Sequence, residues 1–134
     1  MLKVLDIRKV LDLTYGIGSF YASCPDLEII AVDVVKREWQ IAPKEFHKAD
    51  ALDFIVSFNE RVDAVVLDPP LDTRPTARRA ELRDVLYSNK FPFTKIIRVI
   101  KEARKKAEYV VLKYMPSTEE EIELLRLSPL HVIT

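Results

Sequence analysis

Residues 10–18 read Val-Leu-Asp-Leu-Thr-Tyr-Gly-Ile-Gly, a short apolar run followed by a turn that contains two glycines. Gly16 and Gly18 are the two glycines of the whole chain, where average usage predicts about nine. A tight turn from a strand into a helix needs positive φ angles and close approach of the backbone, which glycine provides at little cost. We therefore predict that residues 10–13 form a buried strand and that the glycine turn after it sets the architecture.

Further short apolar runs alternate with amphipathic stretches along the chain. The apolar runs predict strands over residues 27–32, 45–49, 62–67, 109–114 and 130–133. The amphipathic stretches predict helices over 18–24, 51–58 and 94–107, and a last helix that begins at a capping box, Ser117 to Glu120. This alternation is typical of a parallel sheet with right-handed crossovers. We predict a single α/β domain over residues 1–134, with a doubly wound, mostly parallel, Rossmann-like sheet of about six strands.

The composition excludes several classes of protein. The chain carries 21 basic and 21 acidic residues and 49% hydrophobic residues, a balance typical of a globular domain and not of a disordered one. It contains no apolar run of the ~20 residues that a membrane helix needs and no secretory signal, so we expect a cytoplasmic protein. A single cysteine, Cys24, excludes an internal disulfide. With three Asn and Gln residues in all, the composition is thermophile-like.

Acidic residues lie near the carboxyl ends of the first two predicted strands. Asp33 lies 21 residues after Asp12, where a carboxylate can accept hydrogen bonds from both hydroxyls of a ribose; a plain connection with Asp33 as a helix cap is the alternative.

Tyr21 stands three positions after Gly18, where a dinucleotide fingerprint has a small residue that lets the helix approach the sheet. This bulky residue, and an acidic Asp12 beside a pyrophosphate, argue against NAD or FAD. Asp12 suits a cationic ligand such as an amino-acid ammonium group.

Two further acidic residues follow later strands. Asp50 is in position to be the N-cap of the helix over 51–58, a role that does not exclude a hydrogen bond to the amino group of an adenine. Asp68-Pro69-Pro70 follows the strand over 62–67. Because proline has no N–H, the two prolines leave bare carbonyl acceptors beside the Asp68 carboxylate. Such a cluster can hold both hydrogens of an exocyclic amino group; a rigid loop after a strand is the alternative.

The order and spacing of these acidic residues and glycines resemble class I S-adenosylmethionine-dependent methyltransferases. The Asp-Pro-Pro element resembles the branch that methylates amino groups of bases in DNA or RNA. The resemblance implies a methyltransferase sheet, C-terminally truncated after about six strands, with S-adenosylmethionine as the cofactor. It also implies that Gly16 and Gly18 border the cofactor, that Asp12 serves its methionine end, that Asp33 binds the ribose and that Asp50 binds the adenine.

The same resemblance assigns the substrate side of the site. Asp68, Pro69 and Pro70 would be the catalytic residues that hold the target amine. Leu71 stands where the branch has Tyr or Phe, an aromatic residue that stacks on a flipped base, so stacking falls to another residue here.

The net charge of the chain is zero, but basic and acidic residues are unevenly distributed along it. Residues 74–106 contain 11 basic and 3 acidic residues, a net charge of +8, and the rest of the chain carries −8. Arg74, Arg78 and Arg79 closely follow the Asp-Pro-Pro element, so they are candidates for contact with nucleic-acid phosphates. The alternative is a solvated helix face.

The resemblance therefore implies an enzyme that transfers a methyl group from S-adenosylmethionine to an exocyclic amino group of a nucleic-acid base, in RNA or DNA. No metal is expected, since His47 and His131 lie far apart in the sequence. Two alternatives stay open: a non-catalytic, methyltransferase-like partner subunit that binds cofactor or nucleic acid, and a small-molecule methyltransferase. Assembly into a homo-oligomer also stays open.

Overall fold

A computed structural model describes residues 6–69, 91–114, 117–127 and 131–133. Its strands are β1 (Lys9–Asp12), β2 (Glu28–Asp33), β3 (Glu45–Lys48), β4 (Val62–Leu67), β5 (Ala107–Lys113) and β6 (His131–Ile133). Its helices are α1 (Ala51–Ser57), α2 (Phe93–Ala103) and α3 (Thr118–Leu125), with one 3-10 turn at Ser19–Tyr21. The strands form one sheet in the order β3-β2-β1-β4-β5-β6, and each neighbouring pair is parallel. The predicted doubly wound, parallel α/β sheet is confirmed.

The direction in which successive strands are added to the sheet reverses at its centre, between β1 and β4. The chain moves outward from β1 through β2 to β3, then returns to pair β4 with the other side of β1 before it continues to β5 and β6. In open α/β sheets, ligands bind outside the carboxyl ends of the strands at such a reversal. A ligand site is therefore expected at the carboxyl ends of β1 and β4.

The two faces of the sheet are covered differently. On one face, a first core cluster joins strand residues such as Leu11 to Ile55 of α1, Ile100 of α2 and Leu124 of α3. A second cluster covers the other face. It contains strand residues together with Tyr15 and Tyr21 of the glycine loop, and Trp39 and Ile41 pack against it. In the part of the chain that the structure describes, this second face is covered by the 3-10 turn and by the non-helical segment 34–44.

Local sequence signals set the helix boundaries. Asp50 caps α1 by accepting hydrogen bonds from the N–H groups of Leu52 (3.0 Å) and Asp53 (3.1 Å). The predicted capping box begins α3: Glu120 N–H donates to Ser117 Oγ at 3.3 Å, and Ser117 N–H donates to Glu120 Oε1 at 2.9 Å. None of the described helices is both long and apolar enough to cross a membrane.

Three predicted boundaries differ from the structure by two residues or more. The predicted helix over 18–24 is a single 3-10 turn, and the predicted helix over 94–107 ends at Ala103. The strand predicted from 109 begins at Ala107, which pairs with Val62. The turn between α2 and β5 is fixed by Lys106, whose ammonium donates to the carbonyls of Ile55 and Val56 at the end of α1. A lysine at this position satisfies carbonyls that the end of a helix leaves unpaired.

Both glycines of the turn have positive φ angles, +61° at Gly16 and +85° at Gly18. The space around them differs. A Cβ atom on Gly16 would meet no atom within 4 Å, whereas one on Gly18 would lie 2.7 Å from the Tyr15 ring and 2.8 Å from the Ile41 carbonyl oxygen. Gly18 is therefore required both by its backbone conformation and by the packing of Tyr15, whose hydroxyl donates to the Ile41 carbonyl.

We expect Gly18→Ala to lower the free energy of unfolding more than Gly16→Ala. Gly16→Ala should cost about 1–2 kcal/mol, because an L residue is strained in the left-handed region. Gly18→Ala adds overpacking against Tyr15 and Ile41, for a total of roughly 2–5 kcal/mol. Urea unfolding of the two variants beside the wild type measures the difference. Equal losses would contradict the close packing at Gly18.

Candidate active site

Charged residues line the carboxyl edge of four adjacent strands. Asp33 ends β2, Asp12 ends β1, Asp68 follows β4 and Lys113 ends β5. Side chains alternate between the two faces along a strand. The residues two positions earlier all belong to the second core cluster: Ala31, Val10, Val66 and Val111. The four charged side chains therefore emerge on the same face, in the order acid, acid, acid, base across the sheet.

A small cavity of about 70 Å³ lies at the centre of this row. Asp12, Asp68 and Lys113 line it, together with the apolar side chains of Val66 and Val111. Sites for whole small-molecule ligands commonly enclose ~300–1,000 Å³. The cavity therefore has room for a small group, such as a primary amine or a methyl group, and a larger ligand would extend along the edge beyond it.

Asp12 is held in an almost fully buried position, with 4% of its surface exposed. The Tyr21 hydroxyl donates to Asp12 Oδ2 at 2.5 Å, and Thr14 N–H donates to Oδ1 at 2.9 Å. Burial raises the pKa of Asp12 to about 7, although both hydrogen bonds act to lower it, and the charges of Asp68 and Asp33 raise it further. Asp12 thus titrates near neutral pH, and a cation beside it would favour the ionised form.

Tyr21, the bulky residue three positions after Gly18, contacts the site. Tyr21 is buried, with 1% of its surface exposed, and it stacks on Tyr15 with ring centroids 5.7 Å apart. Tyr21 ends the single 3-10 turn that follows the glycine loop, and its ring belongs to the second core cluster. Its hydroxyl donates to Asp12, so Tyr21 helps to hold this carboxyl group in place. The motif alone does not show this, since dinucleotide-binding sites have a small residue at this position.

Asp33 ties the glycine loop to the end of β2. Gly16 N–H donates to Asp33 Oδ2 at 2.8 Å, and Val35 N–H donates to Oδ1 at 3.3 Å. The side chain is buried, with 6% of the residue's surface exposed. A carboxylate has about four acceptor positions, so two are still available to a ligand.

Thr14 joins the β1 edge to the β4 edge. Asp68 N–H donates to Thr14 Oγ1 at 2.6 Å, while Thr14 N–H donates to Asp12 as described above. The two acidic residues of the cavity are therefore held by one side chain and its backbone. Thr14 is not among the predicted site residues; the sequence signal for it is a hydroxyl residue two positions after the acid that ends β1.

In the structure, the Asp50 side chain contacts residues that do not line the cavity. Besides capping α1, Asp50 forms an ion pair with Lys95 of α2. Partial burial acts to raise the pKa of Asp50, but hydrogen bonds from Lys95 and from the N–H groups of Asp53 and Leu52 lower it overall. Asp50 does not line the cavity at Asp12 and Asp68, and its predicted contact with adenine stays a prediction.

The rest of the predicted site is described only in part. Pro69 is buried next to Asp68, which is exposed. Pro70 and the predicted substrate-binding residues lie outside the described residues: Leu71, Arg74, Arg78 and Arg79. Within the ranges that the structure describes, no group of three or more His, Cys, Asp or Glu side chains is placed to hold a metal ion.

Comparison with known proteins supports the fold. No family model matches the sequence, and no curated protein matches it. The structure is similar to the crystal structure of an rRNA methylase from Streptococcus thermophilus, with 14% sequence identity and a TM-score of 0.52. The match covers 90% of this chain and 68% of the methylase chain. The chain therefore has the Rossmann-like α/β fold of that methylase.

We expect the stability of the protein to depend on the protonation of Asp12. Its pKa is about 7 in the folded state and 3.8 in the reference state, so the folded state binds this proton more tightly. The stabilisation that the protonated Asp12 provides is complete below pH 3.8 and is lost as the pH rises through about 7. Relative to Asp12→Asn, the wild type should lose on the order of 2–4 kcal/mol between about pH 4 and pH 7.

Urea unfolding across this pH range tests the expectation. Asn retains an oxygen for Thr14 N–H and an N–H for the Tyr21 oxygen, so it imitates the protonated acid. Asp26→Asn, at an exposed position before β2, is the matched control and should follow the wild type. A constant difference between wild type and Asp12→Asn over the whole range would refute a titrating Asp12.

We expect Thr14→Val to weaken the connection between β1 and β4. The substitution keeps the side-chain shape but leaves Asp68 N–H without its acceptor, at a cost of about 1–2 kcal/mol. Thr14→Ser keeps the oxygen and should cost less. Amide hydrogen exchange at Asp68, followed by NMR, should accelerate in the Val variant alone. Thr94→Val, at an exposed position on α2, is the control, and unchanged exchange at Asp68 in Thr14→Val would exclude the bridge.

Proposed function

We propose that this protein is an enzyme that transfers a methyl group from S-adenosylmethionine to an exocyclic amino group of a nucleic-acid base. The observation that carries the proposal is the placement of Asp12 and Asp68 around one small cavity at the reversal point of the sheet. The rRNA methylase that shares the fold supports a nucleic acid as the class of acceptor.

The chemistry of the residues on the β2 and β1 side fits the cofactor. Asp33 retains acceptor positions for the two hydroxyls of a ribose, and the buried Asp12 suits the ammonium group of the methionine end. The space beside Gly16 leaves the loop backbone open to a ligand. Nearby, the exposed side chains of Ile17 and Val35 offer an apolar surface for the adenine ring. The cofactor would thus lie along the sheet edge, with its reactive end toward the cavity.

When bound, S-adenosylmethionine supplies an electrophilic methyl group on a positively charged sulfur. The residues on the β4 side prepare the acceptor. An exocyclic amine is a poor nucleophile while its lone pair is delocalised into the base. The Asp68 carboxylate and the neighbouring backbone carbonyls can accept both amine hydrogens, which turns the lone pair toward the cavity. After the nitrogen has gained the methyl group it loses a proton, and the exposed Asp68 carboxylate can accept it.

Alignment would supply most of the rate enhancement. Transfer from sulfur to nitrogen is an in-line displacement, for which holding the reacting atoms in the right geometry is the main requirement. The hydrogen bond from Asp68 N–H to Thr14 and that from Thr14 N–H to Asp12 provide such a fixed frame. The frame joins the proposed cofactor side to the proposed acceptor side through three residues.

We expect Asp33→Ala and Asp68→Ala to separate binding from chemistry. Asp33→Ala should weaken cofactor binding by about 1.5–3 kcal/mol, the worth of hydrogen bonds to a charged group. Asp68→Ala should abolish methyl transfer to oligonucleotides while cofactor affinity changes less than tenfold. Calorimetry with S-adenosylmethionine and its demethylated product measures the first effect, and transfer of a labelled methyl group measures the second.

Asp26→Ala is the control for both measurements, because Asp26 lies before β2, at the opposite edge of the sheet. Absence of cofactor binding by the wild type at millimolar concentration would overturn the proposal. Turnover retained by Asp68→Ala would remove Asp68 from the chemistry. Cofactor binding together with transfer to small amines, but to no oligonucleotide, would assign the protein to the small-molecule methyltransferases.

A further inference from the structure

Lys113 is a residue of the cavity that the proposed reaction does not use. It ends β5, and the residue before it, Leu112, is in register with Leu67 of β4. Lys113 and Asp68 are therefore the next residues along two neighbouring strands. Both line the cavity, together with Asp12.

No contact within the described part of the chain accounts for the positive charge of Lys113. Lys113 is exposed, and its ammonium forms no ion pair or hydrogen bond with any residue that the structure describes. Lys95 and Lys106, by contrast, are engaged with Asp50 and with the end of α1. Among the described residues that line the cavity, Lys113 is the cation and Asp12 and Asp68 are the acids.

We propose that Lys113 binds a phosphate group of the acceptor, next to the nucleotide whose amino group enters the cavity. This inference rests on the proposed function and adds an anion site to it. Two carboxylates at the cavity would repel an approaching polyanion, and a cation beside them offsets that repulsion. A lysine ammonium is a compact charge with three donors, which suits a single phosphate oxygen.

The strand order favours the acceptor over the cofactor as the source of the anion. Asp33 and Asp12 lie on β2 and β1, where the cofactor is proposed to bind. Lys113 lies on β5, on the far side of β4 and Asp68 from those strands. The methionine end of the cofactor also carries a carboxylate, so the experiment has to distinguish the two anions.

Binding of a single-stranded oligonucleotide at several salt concentrations tests the inference. Lys113→Ala should bind about tenfold more weakly at low salt, as expected for one charge-assisted hydrogen bond. The slope of log affinity against log salt should flatten by about 0.7, the value for one phosphate contact with a single strand. Lys113→Arg should stay within a few-fold of the wild type. Lys101→Ala removes the same charge from an exposed position on α2, on the other face of the sheet, and should change neither quantity.

A second measurement uses small ligands. Calorimetry compares a nucleoside with its 5′-monophosphate, and the wild type should prefer the monophosphate in a way that Lys113→Ala loses. If this preference depends on Lys113 but no oligonucleotide is methylated, the anion site stands and the proposed function fails. If oligonucleotides are methylated while Lys113→Ala leaves the salt slope unchanged, the anion site fails and the proposed function stands.

Two further results would overturn the inference. A loss of S-adenosylmethionine affinity in Lys113→Ala, with the salt slope unchanged, would assign the ammonium to the carboxylate of the cofactor. Equal binding of nucleoside and monophosphate by the wild type, together with no binding of oligonucleotides, would show that the cavity edge has no phosphate site.

Discussion

The hydrogen bond from Gly16 N–H to the Asp33 carboxylate is the constraint on which the organisation of this edge depends. It holds the glycine loop against the end of β2, and the loop in turn places Tyr15 and Tyr21 over the second face of the sheet. The Tyr15 hydroxyl donates a hydrogen bond to the Ile41 carbonyl, which fixes the segment between β2 and β3. The Tyr21 hydroxyl donates a hydrogen bond to Asp12. One backbone N–H and one carboxylate thereby connect two strand ends, a loop and the connection that follows.

The electrostatics of the edge follow from the same arrangement. Three carboxylates end neighbouring strands on one face, and the most buried of them, Asp12, responds by a raised pKa. Desolvation is the main cause, so the site holds an acid whose charge a bound cation would restore. Lys113, at the end of β5, follows these three carboxylates at one end of the row. The edge is therefore polarised, with a side suited to a cation at β1 and a side suited to an anion at β5.

The fold could be predicted from the sequence because each strand is a short apolar run and the glycines mark the first turn. The acids at positions 12, 33 and 68 could be identified for the same reason, since a strand pattern shows where each strand ends. Contacts that depend on shape could not be predicted. The hydrogen bond from the Tyr21 hydroxyl to Asp12 is one such contact. Thr14 and Lys113 belong to no motif, and only the packing of β1, β4 and β5 brings them to one cavity.

The segment that connects β2 to β3 has a consequence for how this protein would respond to a ligand. Residues 34–44 cross over between parallel strands without a helix, and the N–H groups of Gln40 and Ile41 in this segment donate to the carbonyl of Ile17. Because Ile17 belongs to the glycine loop, a shift of the segment would break contacts of the loop as well. The geometry that the loop and Asp33 offer to a ligand therefore depends on residues 34–44, which preorganise it. Mutations in residues 34–44 that touch no ligand would still weaken binding, because they would loosen the loop that the ligand contacts.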